Sequence, residues 1–125
     1  MIHLTTIEIM RLHEKLLNAT GGLPGIRDVG LLESAVYSVL QSFGETEAYP
    51  TAQEQAARLA YAITQNHPFS DGNKRTGILT MLMTLKLNGI NLKYTQEELI
   101  ALGLSIADGR AQYEQVLSWI NKHEN

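Results

Sequence analysis

The segment from residue 78 to residue 87 constrains the fold of this chain more than any other part of the sequence. It is the most apolar stretch, and its apolar side chains point in nearly every direction around a helix: Ile78, Leu79, Met81, Leu82, Met83, Leu85 and Leu87. A helix that is apolar on almost all sides is typical of a position between other helices. We therefore predict a buried central helix that has Asn73 as its N-cap, extends to about Asn88 and is stopped by Gly89.

Helix signals recur along the rest of the chain. A Thr followed three residues later by a Glu forms a capping box at a helix N-terminus, and this pattern begins at Thr5, Thr51 and Thr95. Asp28 is a further N-cap candidate, followed by apolar residues at helical spacing. Together these signals predict six helices and essentially no sheet, which is a compact all-α bundle around the buried central helix. Residues 44–50 are predicted to form a polar loop.

Composition and charge narrow the class of protein. The 125 residues suffice for one domain with a real core, spanning positions 1–125. A net charge of −3 gives no basic excess of the kind that suggests nucleic acid, and the absence of Cys excludes disulfides and thiol chemistry. The N-terminus shows no signal-peptide pattern and the apolar run is too short to span a bilayer. We expect a soluble, cytoplasmic protein with no membrane partner and no direct nucleic-acid partner.

A dense polar cluster precedes the central helix: His67-Pro68-Phe69-Ser70-Asp71-Gly72-Asn73-Lys74-Arg75. Its two cations, Lys74 and Arg75, fall in the first helical turn, where the partial positive charge of the helix favours acidic residues. Each of them costs on the order of 0.3–1 kcal/mol if nothing compensates, and the free N–H groups of the first turn add positive potential. A bound anion is the simplest compensation, and phosphate fits best. The stretch therefore predicts a phosphate-binding loop.

Two further residues of this cluster have the chemistry of a phosphoryl-transfer site. Asp71 can hold Mg²⁺, which prefers one or two carboxylates together with phosphate oxygens, although it can also merely cap the helix or pair with Arg75. His67 is placed to take a proton from a nucleophile, although a His at a helix end is often satisfied by a backbone carbonyl. We expect the preceding helix to end at His67, because Pro68 disfavours helical backbone there, and the imidazole to continue the inward face set by Ile63. The remaining histidines show no metal-binding spacing and are interpreted as surface or structural residues: His3, His13 and His123.

The stretch 67–75 resembles the signature of the Fic/Doc family, His-x-Phe-x-Asp/Glu-Gly/Ala-Asn-Gly/Lys-Arg. Seven defined positions match, and the Gly-rich segment 21–25, followed by Asp28 and Glu33, is similar to the early part of the Doc ("death on curing") branch. The resemblance implies an all-α fold and the transfer of part of a nucleotide to a protein hydroxyl. By position it implies that His67 is the general base and that Asp71 binds Mg²⁺. It further implies that Phe69 anchors the loop in the core, and that the phosphates of ATP are contacted by Gly72, Asn73, Lys74 and Arg75.

Lys74 favours the Doc branch over the larger Fic enzymes, which usually have Gly at this position and mostly transfer AMP. Doc resembles a kinase that passes the γ-phosphate of ATP to elongation factor Tu and is restrained by a Phd-like antitoxin. The resemblance therefore implies a toxin with ATP and Mg²⁺ in its reaction, a cognate antitoxin and elongation factor Tu as partners. Gly72 is the Fic-like residue, where Doc has Ala, so AMP transfer stays open, as does a non-catalytic partner-binding module. Residues 44–50 are either a plain connection or a flap that holds the target near His67.

Overall fold

The computed structural model describes residues 1–43 and 46–125 of the chain. Over these residues it is an all-α bundle, as predicted, with one minimal hairpin inserted between the second and third helices. The elements in chain order are α1 Thr6–Thr20, α2 Val29–Ser38, β1 Ser42–Phe43, β2 Thr46–Glu47, α3 Ala52–Asn66, α4 Asn73–Leu87, α5 Gln96–Ala107 and α6 Tyr113–His123. The segment 44–50, predicted as a loop or flap, therefore contains strand β2, and its residues 44 and 45 lie outside the described residues.

The helix starts follow the capping pattern of the sequence. At α1 the N–H of Glu8 donates to the Thr5 hydroxyl oxygen at 3.2 Å, and the Glu8 carboxylate accepts from the Thr5 N–H at 2.9 Å. The same reciprocal box opens α5, and the Asp28 carboxylate caps α2. At α3 the box is half formed, because the Thr51 hydroxyl donates to the Glu54 carboxylate at 2.8 Å. Caps of this kind are each worth about 1 kcal/mol.

Helix α4 is the central element, and it packs against α1, α3 and α5. Four of its six buried residues are small or polar, at Thr76, Gly77, Thr80 and Thr84, and the other two are Met81 and Leu85. Gly77 faces α3 so closely that an added Cβ would lie 3.0 Å from the carbonyl oxygen of Ala60. The short side chains therefore let the two helices approach each other.

The aliphatic side chains of α4 are not uniformly buried. Ile78, Leu79 and Leu82 are half-buried, because they line an open cleft between α4 and α5. The apolar pattern predicted the central position of this helix correctly, and part of its apolar surface forms the wall of a cleft.

Two apolar clusters flank α3. One lies among α3, α4, α5 and α6, and the other joins α1 and α2 to α3 and includes the ring of Phe69. The connection between α3 and α4 therefore has one side chain fixed in the core. Within residues 1–43 and 46–125, no helix has the length and apolar character needed to cross a membrane.

Candidate active site

Helix α3 ends at His67, which has left-handed backbone (φ 50°, ψ 55°). It is the single non-glycine residue with positive φ in the described part of the chain, and such a conformation costs roughly 1–2 kcal/mol. The prediction that the helix ends here is confirmed, but the prediction that the imidazole continues the inward face is wrong. The left-handed backbone takes the side chain out of helical register, and His67 is exposed.

The imidazole of His67 makes no hydrogen bond to any described residue, whereas the backbone around it is tightly held. The Arg27 guanidinium donates from Nε to the His67 carbonyl at 2.8 Å and from Nη2 to the Asn66 carbonyl at 3.1 Å. The ring is therefore accessible to a proton donor from outside, while the backbone of His67 is held by hydrogen bonds at the surface.

The loop after His67 is paired with the segment that precedes α2. Ile26 and Phe69 form an antiparallel bridge, and the N–H of Ser70 donates to the carbonyl of Gly25 at 3.2 Å. The carbonyl of Pro68 accepts from the two N–H groups that follow Ile26, at 2.8 and 3.0 Å. Three backbone hydrogen bonds thus hold this loop against the segment before α2.

Phe69 anchors the loop in the core, as the family resemblance implies, and is 1% exposed. Its ring stacks on the imidazole of His13, with centroids 3.8 Å apart and planes 8° from parallel. His13 is itself buried, and its Nε2 lies 2.8 Å from the carbonyl oxygen of Asp71. Because a carbonyl oxygen can only accept, this nitrogen carries the hydrogen. His13 is thus a structural residue that ties α1 to the loop.

Asn73 is not the N-cap of α4, so that prediction is wrong. Gly72 takes the N-cap position with left-handed backbone (φ 77°, ψ 20°), and Asn73 is already helical. The Asn73 carboxamide accepts from the Phe69 N–H at 2.9 Å and donates to the Phe69 carbonyl at 3.0 Å. Its side chain therefore braces the loop across the tight turn that Gly72 permits.

The Asp71 carboxylate is held by backbone N–H groups. It accepts from Leu23 at 3.1 Å and from Gly72 at 2.8 Å, and these two bonds, with a smaller contribution from the Arg75 charge, hold the pKa of Asp71 below its usual value. The alternative pairing with Arg75 is not formed. The Arg75 guanidinium instead donates to the Thr20 hydroxyl at 2.6 Å.

Asp71 fits a magnesium ion that is shared with phosphate better than a metal held by protein alone. In residues 1–43 and 46–125, no group of three or more His, Asp or Glu side chains is arranged to hold a metal. An ionised carboxylate beside a cationic helix N-terminus that could hold phosphate suits Mg²⁺, which keeps waters and phosphate oxygens as its other ligands.

The N-terminus of α4 carries unpaired donors and two cations. No described residue accepts a hydrogen bond from the N–H of Asn73, Lys74 or Arg75, and Gly72 provides no side-chain cap. Both cationic side chains are half-buried, and no carboxylate of the described residues forms an ion pair with them. This concentration of positive charge is the feature that a bound phosphate would satisfy.

The cleft beside this N-terminus has a volume of about 450 Å³. Its walls are apolar apart from the two cations and one amide, and its lining residues are Leu16, Lys74, Arg75, Ile78, Leu79, Leu82, Gln96, Leu99, Ile100 and Gly103. The stem of Lys74 lies along this wall, since a Cβ added at Gly103 would be 3.4 Å from its Cγ. The cleft thus offers an apolar surface that ends at a cationic site.

Sequence reasoning missed the segment that closes over the loop. At Gly22 (φ 128°) a Cβ would lie 2.8 Å from the Asp71 carboxylate and 3.5 Å from Nη2 of Arg75, so this position needs glycine. The available signal is the pair of adjacent glycines at 21 and 22, which above supports only the resemblance to the Doc branch. For Arg27 and His13 the sequence held no signal, because their partners lie 40 and 58 positions away.

Comparison with known proteins gives a family match that includes residues 67–75 and the segment 21–28. The pattern of the Fic/DOC family matches residues 3–85. The chain is 30% identical over 122 residues to the protein named "Protein kinase doc" of Escherichia phage P1, and the aligned region covers 98% of this chain and 95% of that protein. It is 38% identical over 74 residues to "Toxin Doc" of Mycolicibacterium smegmatis, over 59% of this chain and 57% of that protein.

Proposed function

The chain belongs to the Fic/DOC family, and on that premise we propose that it is a Doc-like toxin that phosphorylates a translation factor with ATP. The observation that carries the proposal is the N-terminus of α4, where two cations and three N–H groups that donate to no described residue lie one short loop after an exposed imidazole. A relative that aligns over nearly its full length is named a protein kinase, which supports the kinase form of the reaction.

In the proposed reaction His67 is the general base. It accepts the proton of a Ser or Thr hydroxyl of the target, the hydroxyl oxygen attacks the γ-phosphorus, and the bond to the β,γ-bridging oxygen breaks to release ADP. The nucleophile comes from another protein, so an exposed imidazole is the arrangement that such a base requires. Nothing in this step needs a Ser or Thr of the chain itself.

The phosphates are proposed to lie at the start of α4. Lys74 and Arg75 supply positive charge, and the N–H groups of the first turn, including that of Asn73, donate to phosphate oxygens. Gly72, which has no side chain, leaves the approach to these groups open. Asp71 is the proposed ligand of Mg²⁺, which when bound neutralises charge on the phosphates.

The proposed partners are a cognate, Phd-like antitoxin and elongation factor Tu. One relative is named "Toxin Doc", which supports a toxin that is restrained by a separate antitoxin. The target is proposed from the family resemblance, and an assay with purified elongation factor Tu beside a whole bacterial extract tests it directly.

Transfer of AMP is the second candidate, and the Fic-like Gly72 favours it. We propose to incubate the protein with Mg²⁺ and either α-labelled or γ-labelled ATP, and to follow label on elongation factor Tu and on extract proteins. Label from γ alone supports the kinase, and label from α supports AMP transfer. Binding of ATP without any transfer supports a non-catalytic module and rejects both reactions.

The variant His67→Ala tests the base, with His3→Ala, another exposed histidine, as the matched control. We expect His67→Ala to abolish transfer while its melting temperature stays near that of the wild type, and His3→Ala to keep full activity. Full activity in His67→Ala would show that His67 is not the general base. Addition of EDTA should stop transfer by the wild type and by His3→Ala, as expected for phosphates held with Mg²⁺.

A further inference from the structure

The C-terminus of α3 is closed by a side chain from a distant segment. Helix α3 has no basic residue in its last turn, and its last two carbonyls, of Asn66 and His67, both accept from the Arg27 guanidinium. A cation at this end of a helix meets the partial negative charge of its carbonyls. Arg27 thus completes a helix to which it does not belong.

We propose that Arg27 is a positioning residue that fixes the backbone of His67 and thereby aims its imidazole, an inference that rests on the proposed role of His67 as the base. Positive φ is unfavourable for a residue with a Cβ and persists where the surroundings over-determine it. At His67 those surroundings are the two guanidinium hydrogen bonds on one side of the residue and the pinned carbonyl of Pro68 on the other.

The geometry of these contacts favours arginine in particular. The guanidinium is planar and presents its N–H groups in a rigid fork, so two bonds from one group fix both distance and orientation. Within the described residues Arg27 forms no ion pair with a carboxylate, so its charge is committed to the end of α3. Its own N–H also donates to the Pro68 carbonyl at 2.8 Å, which ties the main chain of residue 27 to the same loop.

This arrangement predicts a specific kinetic signature. Arg27 touches the backbone of the base and none of the groups at the start of α4, so its loss should lower kcat and leave the KM for ATP within about twofold of the wild type. A displacement of about 1 Å in a reacting group can cost on the order of 100-fold in rate. We expect Arg27→Gln to reduce kcat by roughly 10- to 100-fold. Arg27→Lys, which keeps the charge and one donor, should fall between Gln and the wild type.

The test combines that assay with a measurement that does not depend on activity. The three-bond coupling between the amide and α hydrogens of His67, measured by NMR, reports φ directly. We expect Arg27→Gln to move this coupling away from its wild-type value, and the matched control Arg110→Gln, which loses an exposed pair with Asp108, to leave both coupling and kcat unchanged. A melting curve establishes that each variant is folded, and Arg27→Lys takes the place of Arg27→Gln if the latter is not.

The outcomes separate this inference from the proposed function. An unchanged coupling in a folded Arg27 variant overturns the inference, and so does an unchanged kcat when the wild type is active. If the wild type transfers no label, the proposed function fails, and the coupling alone decides whether Arg27 fixes His67. A changed coupling together with a lower kcat and an unaltered KM for ATP supports both.

Discussion

Helices α3 and α4 approach each other at Gly77, and we predict that Gly77→Ala destabilises the protein. A Cβ atom there would lie 2.7 Å from the Thr64 hydroxyl oxygen and 3.0 Å from the Ala60 carbonyl oxygen. The carbonyl belongs to the backbone of α3, so it yields only if that helix moves. Because α3 ends at the proposed base and α4 begins with the proposed phosphate site, such a movement should also reduce transfer activity.

Two opposing contributions set the size of the effect. Inside a helix Ala is favoured over Gly by roughly 1 kcal/mol, whereas overpacking of a tight contact costs about 1–3 kcal/mol. The expected net change is a loss of up to about 2 kcal/mol in the free energy of unfolding. Gly103→Ala is the matched control, since its nearest new contact, with Lys74 Cγ, would be an ordinary 3.4 Å. That variant should gain up to roughly 1 kcal/mol.

Urea unfolding followed by circular dichroism measures both variants. The urea concentration at the midpoint should fall for Gly77→Ala and rise for Gly103→Ala, and the slope of the unfolding free energy against urea concentration should not change. A double-mutant cycle with Thr64→Ala separates the two contacts, because removal of the hydroxyl should make Gly77→Ala less costly in that background. A Gly77→Ala protein as stable as Gly103→Ala would refute the argument that the α3–α4 contact is limited by residue size.

Two further predictions concern α1 and the C-terminal helix. His13→Ala should lower the free energy of unfolding by roughly 2–3 kcal/mol, because it removes the stack on Phe69 and the bond to the Asp71 carbonyl. A urea titration that shows almost no loss would mean that neither contact holds the loop. The 2.7 Å bond from His123, together with the hydrogen bonds from Thr95, lowers the pKa of Glu98 to about 2. The bond to Glu98 is also the largest cause that raises the pKa of His123 above its ordinary 6.5, followed by the bond to the Trp119 carbonyl. The stabilisation that Glu98 contributes is complete above its ordinary pKa of 4.5 and is lost as the pH falls toward 2. The stabilisation that His123 contributes is complete below its ordinary pKa of 6.5 and is lost as the pH rises through its raised pKa. The difference in Tm between the wild type and His123→Gln should therefore be largest between pH 4.5 and 6.5 and shrink at alkaline pH. A Tm difference that does not change with pH would contradict the ion pair between His123 and Glu98.

Features that depend on near neighbours in the chain were predictable from the sequence. The boxes that begin at Thr5 and Thr95 were confirmed because both partners lie within one helical turn. The central position of α4 followed from its apolar pattern, and the end of α3 followed from Pro68. The polar cluster between the two helices was recognisable because its residues are consecutive.

Features that depend on distant segments were not predictable. No local pattern favours Gly72 over Asn73 as the N-cap, because the Asn73 side chain instead forms hydrogen bonds with the backbone of Phe69 across the turn. The orientation of the His67 side chain depends on its left-handed backbone, whose carbonyl accepts a hydrogen bond from the distant Arg27. Both features depend on tertiary contacts, which a local sequence pattern does not reveal.

The connection between α3 and α4 also has a consequence for the order of folding. A helical hairpin closes a short loop, which costs little chain entropy, whereas the bonds from residue 27 close a much longer one of 40 residues. The α3–α4 hairpin can therefore assemble the proposed phosphate site at the start of α4 before the first two helices dock. Under the proposed function, a chain halted at that stage would bind a nucleotide while the imidazole of His67 is not yet held in place, and docking of the N-terminal third would be the event that allows transfer.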